Sequence, residues 1–595
     1  MKLSDFVMNF IAESGVGHVF FLPGGGCMHL VDSLGRNAAL RKVCCLHEQA
    51  AAIAAEAYGQ VTNTMGAVLV TTGPGATNAI TGVAGAWIDS TPLLVISGQA
   101  KRSDLIGTSG VRQRGVQEVD IIPMVGPITK YAVTVMDPAT IGYHLQKARH
   151  LATHGRKGPV WIDIPLDVQG SIIDEKSLPA YSPDTPADEL TPDELRLRAA
   201  AAARLIAAAK RPVLLAGNGI RLSGATAVFR SVIEALGIPV LLTWKASDFL
   251  EEGDPRYCGK PGIIGQRGAN FTQQRADVLL TVGARLDLCQ IGFDAGNFAP
   301  RAKKIIVDID SHEIDKLATR IDLPVPADAG MFLGVFLDEL KKLRLGDFSP
   351  WLLRCRELHR HYPVILPEYR GSRGPVNPYH LIDVLSDLLT GDDVFVPGSS
   401  GSCAEISLQA FRIKAGQRLL NTPGLGAMGF GLPASFGACL ASGGRRTTTV
   451  IGDGGLQHNI QELQTIARLG LPLKIFILNN NGYASIRNMQ KTHFNGNLVA
   501  CDPTSGLTLP DTCSVAAAYG LPVKRIRDQA NLRHDVAEVL AADGPVVCDV
   551  LVDQEVPTAP RMSSRALPDG RMVSMPFEDL WPFLDREEFN STMAG

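Results

Sequence analysis

The eleven cysteines of this 595-residue chain include no Cys-x-x-Cys pair and no even framework, which excludes the common zinc sites, disulfide scaffolds and dithiol redox motifs. Adjacent Cys44 and Cys45 fall in an apolar run, so reduced, mostly buried thiols in a cytoplasmic protein are expected. No stretch of 18 apolar residues occurs, so no membrane span is expected. The N-terminus is not read as a signal peptide: Leu3, Phe6, Val7, Phe10 and Ile11 share one helical face, and Asp5 and Glu13 interrupt any apolar run. A net charge of −3 leaves no basic field for nucleic acid. Small-molecule chemistry remains.

The chain is 45% hydrophobic and too long for a single core, so roughly three domains of about 150–200 residues are expected. Two proline-rich polar breaks divide it, Asp174 to Pro192 and Leu366 to Pro378. Each flanking block alternates apolar strands such as Val68-Leu69-Val70, Val213-Leu214-Leu215 and Val278-Leu279-Leu280 with helical segments. The expectation is an α/β protein of three doubly wound parallel-sheet domains, 1–173, 193–345 and 376–556, followed by a tail or lid, 557–595.

Ile451 to Tyr483 is the most informative stretch. Gly452-Asp453-Gly454-Gly455 ends one apolar strand, Gln457 to Leu469 reads as a helix, and Asn479-Asn480-Asn481-Gly482 ends the next strand, Leu473 to Leu478. Two polar clusters at the carboxyl ends of adjacent parallel strands mark the place where open α/β sheets bind ligands. An Asp carboxylate, an Asn amide oxygen and a backbone carbonyl are three hard ligands suited to Mg²⁺, and glycines let N–H groups approach phosphate. Either cluster alone would be an ordinary turn; the strand-helix-strand frame makes the pair specific.

Far away in sequence, Glu48 stands at the end of the strand Lys42 to Leu46 and opens an alanine-rich helix. A lone acid there can simply favour the helix N-terminus. Beside the second motif it becomes a candidate catalytic carboxylate, with a pKa that burial would raise.

Leu22-Pro23-Gly24-Gly25-Gly26, His47-Glu48-Gln49, Thr72-Gly73-Pro74-Gly75-Ala76-Thr77-Asn78, Gly98-Gln99, Gly424 to Pro433 and Gly452-Asp453-Gly454 follow one another in an order that resembles the acetolactate synthase family of thiamine diphosphate enzymes over nearly the whole chain. The resemblance implies thiamine diphosphate and Mg²⁺ as cofactors. It assigns Asp453, Asn480 and the Gly482 carbonyl to the metal, and Glu48 to N1′ of the aminopyrimidine. Gly24, Gly25, Thr72, Pro74, Asn78, Gly401, Ser402, Gly426, Met428, Gly452, Gly454 and Gly455 would lie around the cofactor, with Met428 beneath its bend. Gln117, otherwise a solvated glutamine, matches a residue near the donor substrate, and His29 is a further catalytic candidate. The first and third blocks become pyrimidine-binding and diphosphate-binding domains. Their half-sites are implied to meet across a homodimer or a dimer of dimers.

The middle block has no evident catalytic carboxylate or nucleophile. Its Gly217-x-Gly219 after a strand can be a mere tight turn. Together with Gly262 to Gly268, Arg285 and Asp308 it matches the segments that hold FAD in this family, with Arg285 toward phosphate and Asp308 or Asp310 toward adenosine. A flavin there would be structural rather than redox-active; an ADP-like effector or an empty fold are the alternatives.

Two departures bear on the substrate. Cys289 stands where acetolactate synthases carry an Arg that grips the second 2-keto acid, and Met489 stands where they carry a Trp that selects it. A thiol cannot replace a bidentate guanidinium. Cationic Arg112 and Arg114 precede Gln117, and His493, Arg561 and Arg565 lie in or near the tail half of the chain. Loss of a carboxylate grip with added cationic reach suits a bulky phosphorylated acceptor. The chain then resembles the relatives that add an acetyl unit to nucleotide-linked keto-deoxysugars, which implies a pyruvate-decarboxylating carboligase with such an acceptor. Acetolactate synthase itself, and a diketone hydrolase or lyase using His29, are the competing readings.

Overall fold

Strands such as Gly66–Val70, Leu93–Gln99 and Pro159–Pro165 are buried along their whole length. That requires helices on both faces of the sheet, and so favours parallel pairing through helical crossovers. The computed structural model describes residues 1–183, 190–371, 373–566, 569 and 571–594; part of the first polar break, 184–189, lies outside them.

Three parallel sheets result. The N-terminal sheet runs Arg41–Cys44, His18–Phe21, Gly66–Val70, Leu93–Gln99, Pro159–Pro165, Tyr131–Thr134. The C-terminal sheet runs Arg418–Leu419, Val394–Pro397, Thr447–Gly452, Leu473–Asn479, Val546–Leu551, Val523–Ile526, which is the same order when strands are counted along the chain. Between them in sequence, the central sheet runs Leu323–Pro326, Lys303–Asp308, Val278–Val282, Pro212–Ala216, Val240–Leu242. In all three, the first strand of the domain lies between its second and third, so the chain winds away in opposite directions from that point. A crevice opens there at the strands' carboxyl ends.

The two outer domains share one hydrophobic cluster, in which Phe20, Ala51 and Val68 of one meet Phe436, Ile451 and Leu463 of the other. The helix Glu48–Thr62 packs on the helix Gly431–Ala441. Its alanines permit the approach, and a Cβ on Gly437 would stand 2.3 Å from the Ala54 carbonyl oxygen, so the contact tolerates nothing larger. At the head of the same helix, the Leu46 N–H donates to Glu462 at 2.9 Å.

Two local expectations need correction. The strand expected over Lys42 to Leu46 ends at Cys44, because His47 turns to cap the next helix through its Nδ1. The helix expected over Gln457 to Leu469 is a short helix Asp453–Leu456, a 3-10 turn Gln457–Asn459 and a helix Glu462–Leu469. The backbone tightens where the buried Asn459 amide turns to donate to the Gly429 carbonyl at 2.9 Å.

The described residues after 556 are fastened to the domains at several points. The Tyr379 hydroxyl and the Ala559 backbone exchange bonds at 2.8 Å, Arg561 and Trp581 pair through their backbones, and Asn270 donates to the Phe577 carbonyl. Phe589 packs on Phe271. Between these anchors Ser564–Ala566 and Met572–Ser574 form an antiparallel hairpin; the Arg565 side chain lies outside the described residues.

Glu56 sits in the interdomain seam, 1% exposed. Burial, together with Asp89, pushes its pKa up to about 8, against the pull of Lys245 and Gln60. The folded chain thus keeps a proton that the unfolded chain loses near the ordinary value of 4.5, and stability falls as pH rises through that window. Glu56→Gln, which mimics the protonated acid, should gain on the parent from pH 5 to pH 8, with a slope of at most about 1.4 kcal/mol per pH unit, and then level off. Denaturant unfolding at pH 5, 7 and 9 reads this; a difference that does not vary with pH would contradict it.

Candidate active site

The C-terminal crevice is built on two strand ends. Asp453 opens a helix directly after Thr447–Gly452 and is 3% exposed. Its carboxylate accepts the N–H groups of Gly454 at 3.0 Å and Gly482 at 3.1 Å. Burial nevertheless raises its pKa to about 6, with those N–H groups opposing the rise. From the neighbouring strand comes Asn480, whose Oδ1 is buried and has no hydrogen-bond partner among the described residues. A buried acceptor left unmet costs about 1–3 kcal/mol. An oxygen-seeking cation beside Asp453 would satisfy it, so the donor set fits Mg²⁺.

The neighbouring residues explain the sequence of this loop. Asn479 is spent on Asp549, donating at 3.0 Å. Gly482 has φ +141°, and a Cβ there would stand 2.1 Å from the Cys501 carbonyl oxygen; a Cβ on Gly454 would strike the Tyr483 ring at 2.4 Å. Gly452 and Gly455 face open space, so no neighbour in this chain demands their lack of a side chain. Arg487, passed over in the sequence, is buried with its guanidinium on the Asn480 carbonyl at 3.4 Å. Gly401 has φ +64° and leads into the helix Ser402–Ala410, which follows the strand Val394–Pro397 paired with Thr447–Gly452; the first N–H groups of a helix are free to meet an anion. Ser399 donates to the Ala427 carbonyl, which ties that loop to Gly426, at φ +65°, and the half-buried Met428.

In the N-terminal domain Glu48 is 6% exposed, and Asn78 donates to its Oε2 at 3.0 Å. A Cβ on Gly75 would stand 3.3 Å from Oε1. Gly24 is pressed against Thr71, which a Cβ would meet at 2.5 Å, whereas a Cβ on Gly25 would meet nothing. Pro74 begins the helix Pro74–Ile88. The Thr72 hydroxyl is committed to Gln99 Oε1 at 2.7 Å, so its side chain is spent on the scaffold. Gln117, at φ +58°, is exposed beside Gly73, which its carbonyl approaches so closely that a Cβ there would be 2.1 Å away. The loop is held by Glu118, another residue missed in the sequence, which accepts N–H groups from Ile106, Arg114 and Gly115. These bonds keep its pKa low despite the opposing effect of burial. Arg112 and Arg114 are exposed. His29 is placed beside Gly170, Lys2 and Asp32 instead of among the groups around Glu48.

No hydrogen bond or ion pair among the described residues joins the Glu48 group to the Asp453 group. Nor does any cluster of three His, Cys, Asp or Glu side chains there offer a different metal site.

The central crevice holds a cavity of about 450 Å³ bordered by all three domains. Gly219, Gly283, Arg285, Asp308 and Cys289 line it. Gly217 and Gly219 answer to packing: a Cβ on either would come within 2.6 Å of Gly283. Arg285 donates to the Ile88 carbonyl at 2.7 Å and to Asp287 at 2.6 Å. Burial raises the Asp308 pKa to about 6, and Asp310 is taken up by Arg156 at 2.6 Å. Cys289 and Met489 are both exposed.

The sequence matches the thiamine pyrophosphate enzyme N-terminal TPP binding domain over residues 1–124, the central domain over 199–336 and the C-terminal TPP binding domain over 399–550. It is 32% identical to a probable acetolactate synthase large subunit of Methanocaldococcus jannaschii, covering 97% of this chain and 95% of that one. Acetolactate synthase isozyme 1 large subunit of Escherichia coli is 31% identical, with coverage of 93% and 94%. The acetolactate synthase large subunit of Corynebacterium glutamicum is 32% identical, with coverage of 98% and 91%.

If Asn480 Oδ1 awaits a cation, Asn480→Ala removes no existing bond of that atom. The variant should keep its thermal midpoint in buffer yet bind thiamine diphosphate with Mg²⁺ at least about tenfold more weakly, or about 1.4 kcal/mol. Calorimetric titration with and without Mg²⁺ separates the cases: equal weakening in both would remove Asn480 from the metal.

Proposed function

Since the chain belongs to the acetolactate synthase family of thiamine pyrophosphate enzymes, and is therefore a thiamine diphosphate-dependent carboligase, we propose that it decarboxylates pyruvate and transfers the two-carbon unit to a carbonyl acceptor. The observation that carries this is the orphaned Asn480 oxygen and the buried Asp453 carboxylate at the carboxyl ends of two adjacent strands of the C-terminal sheet.

In this reading Asp453, Asn480 and the Gly482 carbonyl hold Mg²⁺. Gly401, Ser402, Gly452, Gly454 and Gly455 receive the diphosphate, while Gly24, Gly25, Pro74, Asn78, Gly426 and Met428 shape the space for the rings, with Thr72 bracing them through Gln99. Thiamine diphosphate, when bound, supplies the electron sink for decarboxylation. Glu48, oriented by Asn78, holds a proton at the aminopyrimidine, and Gln117 borders the donor. The site is completed between two copies, in a homodimer or a dimer of dimers, with the Glu48 half from one and the Asp453 half from the other. The central cavity suits FAD, with Arg285 facing phosphate and Asp308 a ribose; its role is structural.

Where the family carries an arginine for the acceptor, the exposed Cys289 thiol offers no grip on a carboxylate, which favours a large carbonyl acceptor such as a nucleotide-linked keto-sugar. Nearly full-length similarity to acetolactate synthase large subunits favours a second reading, in which the acceptor is another pyruvate. The position of His29 gives a diketone hydrolase no support.

With thiamine diphosphate, Mg²⁺, FAD and pyruvate, carbon dioxide should be released slowly and without matching acetolactate. Rapid, matched formation of both would establish the second reading, and no release with cofactor bound would exclude pyruvate as donor. Glu48→Gln and Asp453→Asn should each be inactive alone, whereas a mixture refolded together should recover about a quarter of the parent activity, since mixed dimers carry one intact site. No recovery would place the whole site in one chain.

A further inference from the structure

Between the central cavity and the segment bearing Gly426 and Met428 lies a polar knot where the three domains meet. Lys245, just after the strand Val240–Leu242, borders the cavity. Its Nζ donates to the Asn421 carbonyl at 2.8 Å and to Gln60 Oε1 at 2.9 Å, and lies 3.4 Å from Asp89. The Asn421 amide returns a bond to the Trp244 carbonyl at 3.0 Å. One ammonium thus grips the helix that begins at Glu48 and, with its other donors, the strand exit that leads to Gly426.

The next residues are fitted to the cavity wall. Pro423, Ile88, Asp89 and Arg285 all border the cavity. A Cβ on Gly424 would stand 2.4 Å from Ile88, 2.8 Å from Asp89 and 3.2 Å from Arg285. Arg285 in turn donates to the Ile88 carbonyl. Asn421 Oδ1 and Thr422 Oγ1 are buried without partners among the described residues, so this segment is held by Lys245 and by shape while part of its polar surface is unmet. Lys245 and Asp89 have side chains 15% and 3% exposed, where charge is little screened.

We propose that Lys245 is a positioning residue that couples occupancy of the central cavity to affinity for thiamine diphosphate. A ligand in the cavity packs on Lys245, Arg285 and Pro423 and steadies Asn421–Gly424 from one side. Thiamine diphosphate at Gly426 and Met428 steadies the same segment from the other. Whichever binds first bears the ordering cost, and the second binds more tightly by the same factor in either order. This rests on the flavin reading of the cavity and gives that flavin a task that needs no electron transfer.

The test is a binding cycle with Mg²⁺ present: thiamine diphosphate titrated with and without saturating FAD, and FAD titrated with and without thiamine diphosphate. The parent should show equal, reciprocal tightening of about fivefold or more. Lys245→Met should still bind both ligands with the factor reduced to near one, and Lys245→Arg should retain most of it. If Lys245→Met does not fold, Gln60→Leu, which removes the helix acceptor of Lys245 along with a donor to Glu56, should lower the factor. FAD bound by the parent with no change in either affinity would overturn the coupling and leave the flavin reading intact. A full factor in Lys245→Met, or in Gln60→Leu where that is the variant read, would show that coupling bypasses this knot. Failure of the parent to retain FAD would overturn both readings.

Discussion

The placement of Glu48 relative to the segment bearing Gly426 and Met428 depends on how closely two helices approach. Glu48–Thr62 and Gly431–Ala441 meet through alanine and glycine, and Gly437 lies against the Ala54 carbonyl with no room for a methyl group. One end of the first helix presents Glu48, and the second follows directly on the segment that carries Gly426 and Met428. A shift in this contact would therefore move both cofactor-facing elements. Sharing a hydrophobic cluster fixes the contact more firmly than loop hydrogen bonds could, because close-packed interiors transmit displacement rather than absorb it.

The same topological device serves three times. In each domain the crevice forms where the chain winds in opposite directions from the first strand, and glycine-bearing loops border it. What differs is the chemistry placed there: a buried carboxylate in the first domain, arginine and acids around a cavity in the second, and hard oxygen ligands in the third. The glycines have unlike reasons for being glycine. Gly217, Gly437 and Gly482 are required by close neighbours, whereas Gly25, Gly452 and Gly455 are not, which makes the latter group more informative about a bound molecule.

Three parallel-sheet domains and the elements bearing Glu48 and Asp453 were legible in the sequence, because continuous apolar runs bounded by glycine and polar turns have few other solutions. The interruption of the helix after Asp453 was not, since it depends on Asn459 reaching Gly429 across the fold. Glu118 and Arg487 were missed for a related reason: a charged residue without a recognisable motif looks solvated until the structure shows its partners. His29, a catalytic candidate in the sequence, is held on its helix against Gly170.

The anchoring of the late segment bears on the order of events during synthesis. Arg267 and Asn270, buried on a helix of the central domain, donate to carbonyls of Leu580 and Phe577 some 313 and 307 residues later in the chain. While the chain emerges from the ribosome, the central sheet can assemble around its own strands, yet these two buried donors must wait on water until the later segment arrives. A nascent central domain is consequently looser at this edge than the finished one. A product truncated before residue 577 would keep that edge open, and so expose it to the proteases that remove incomplete chains.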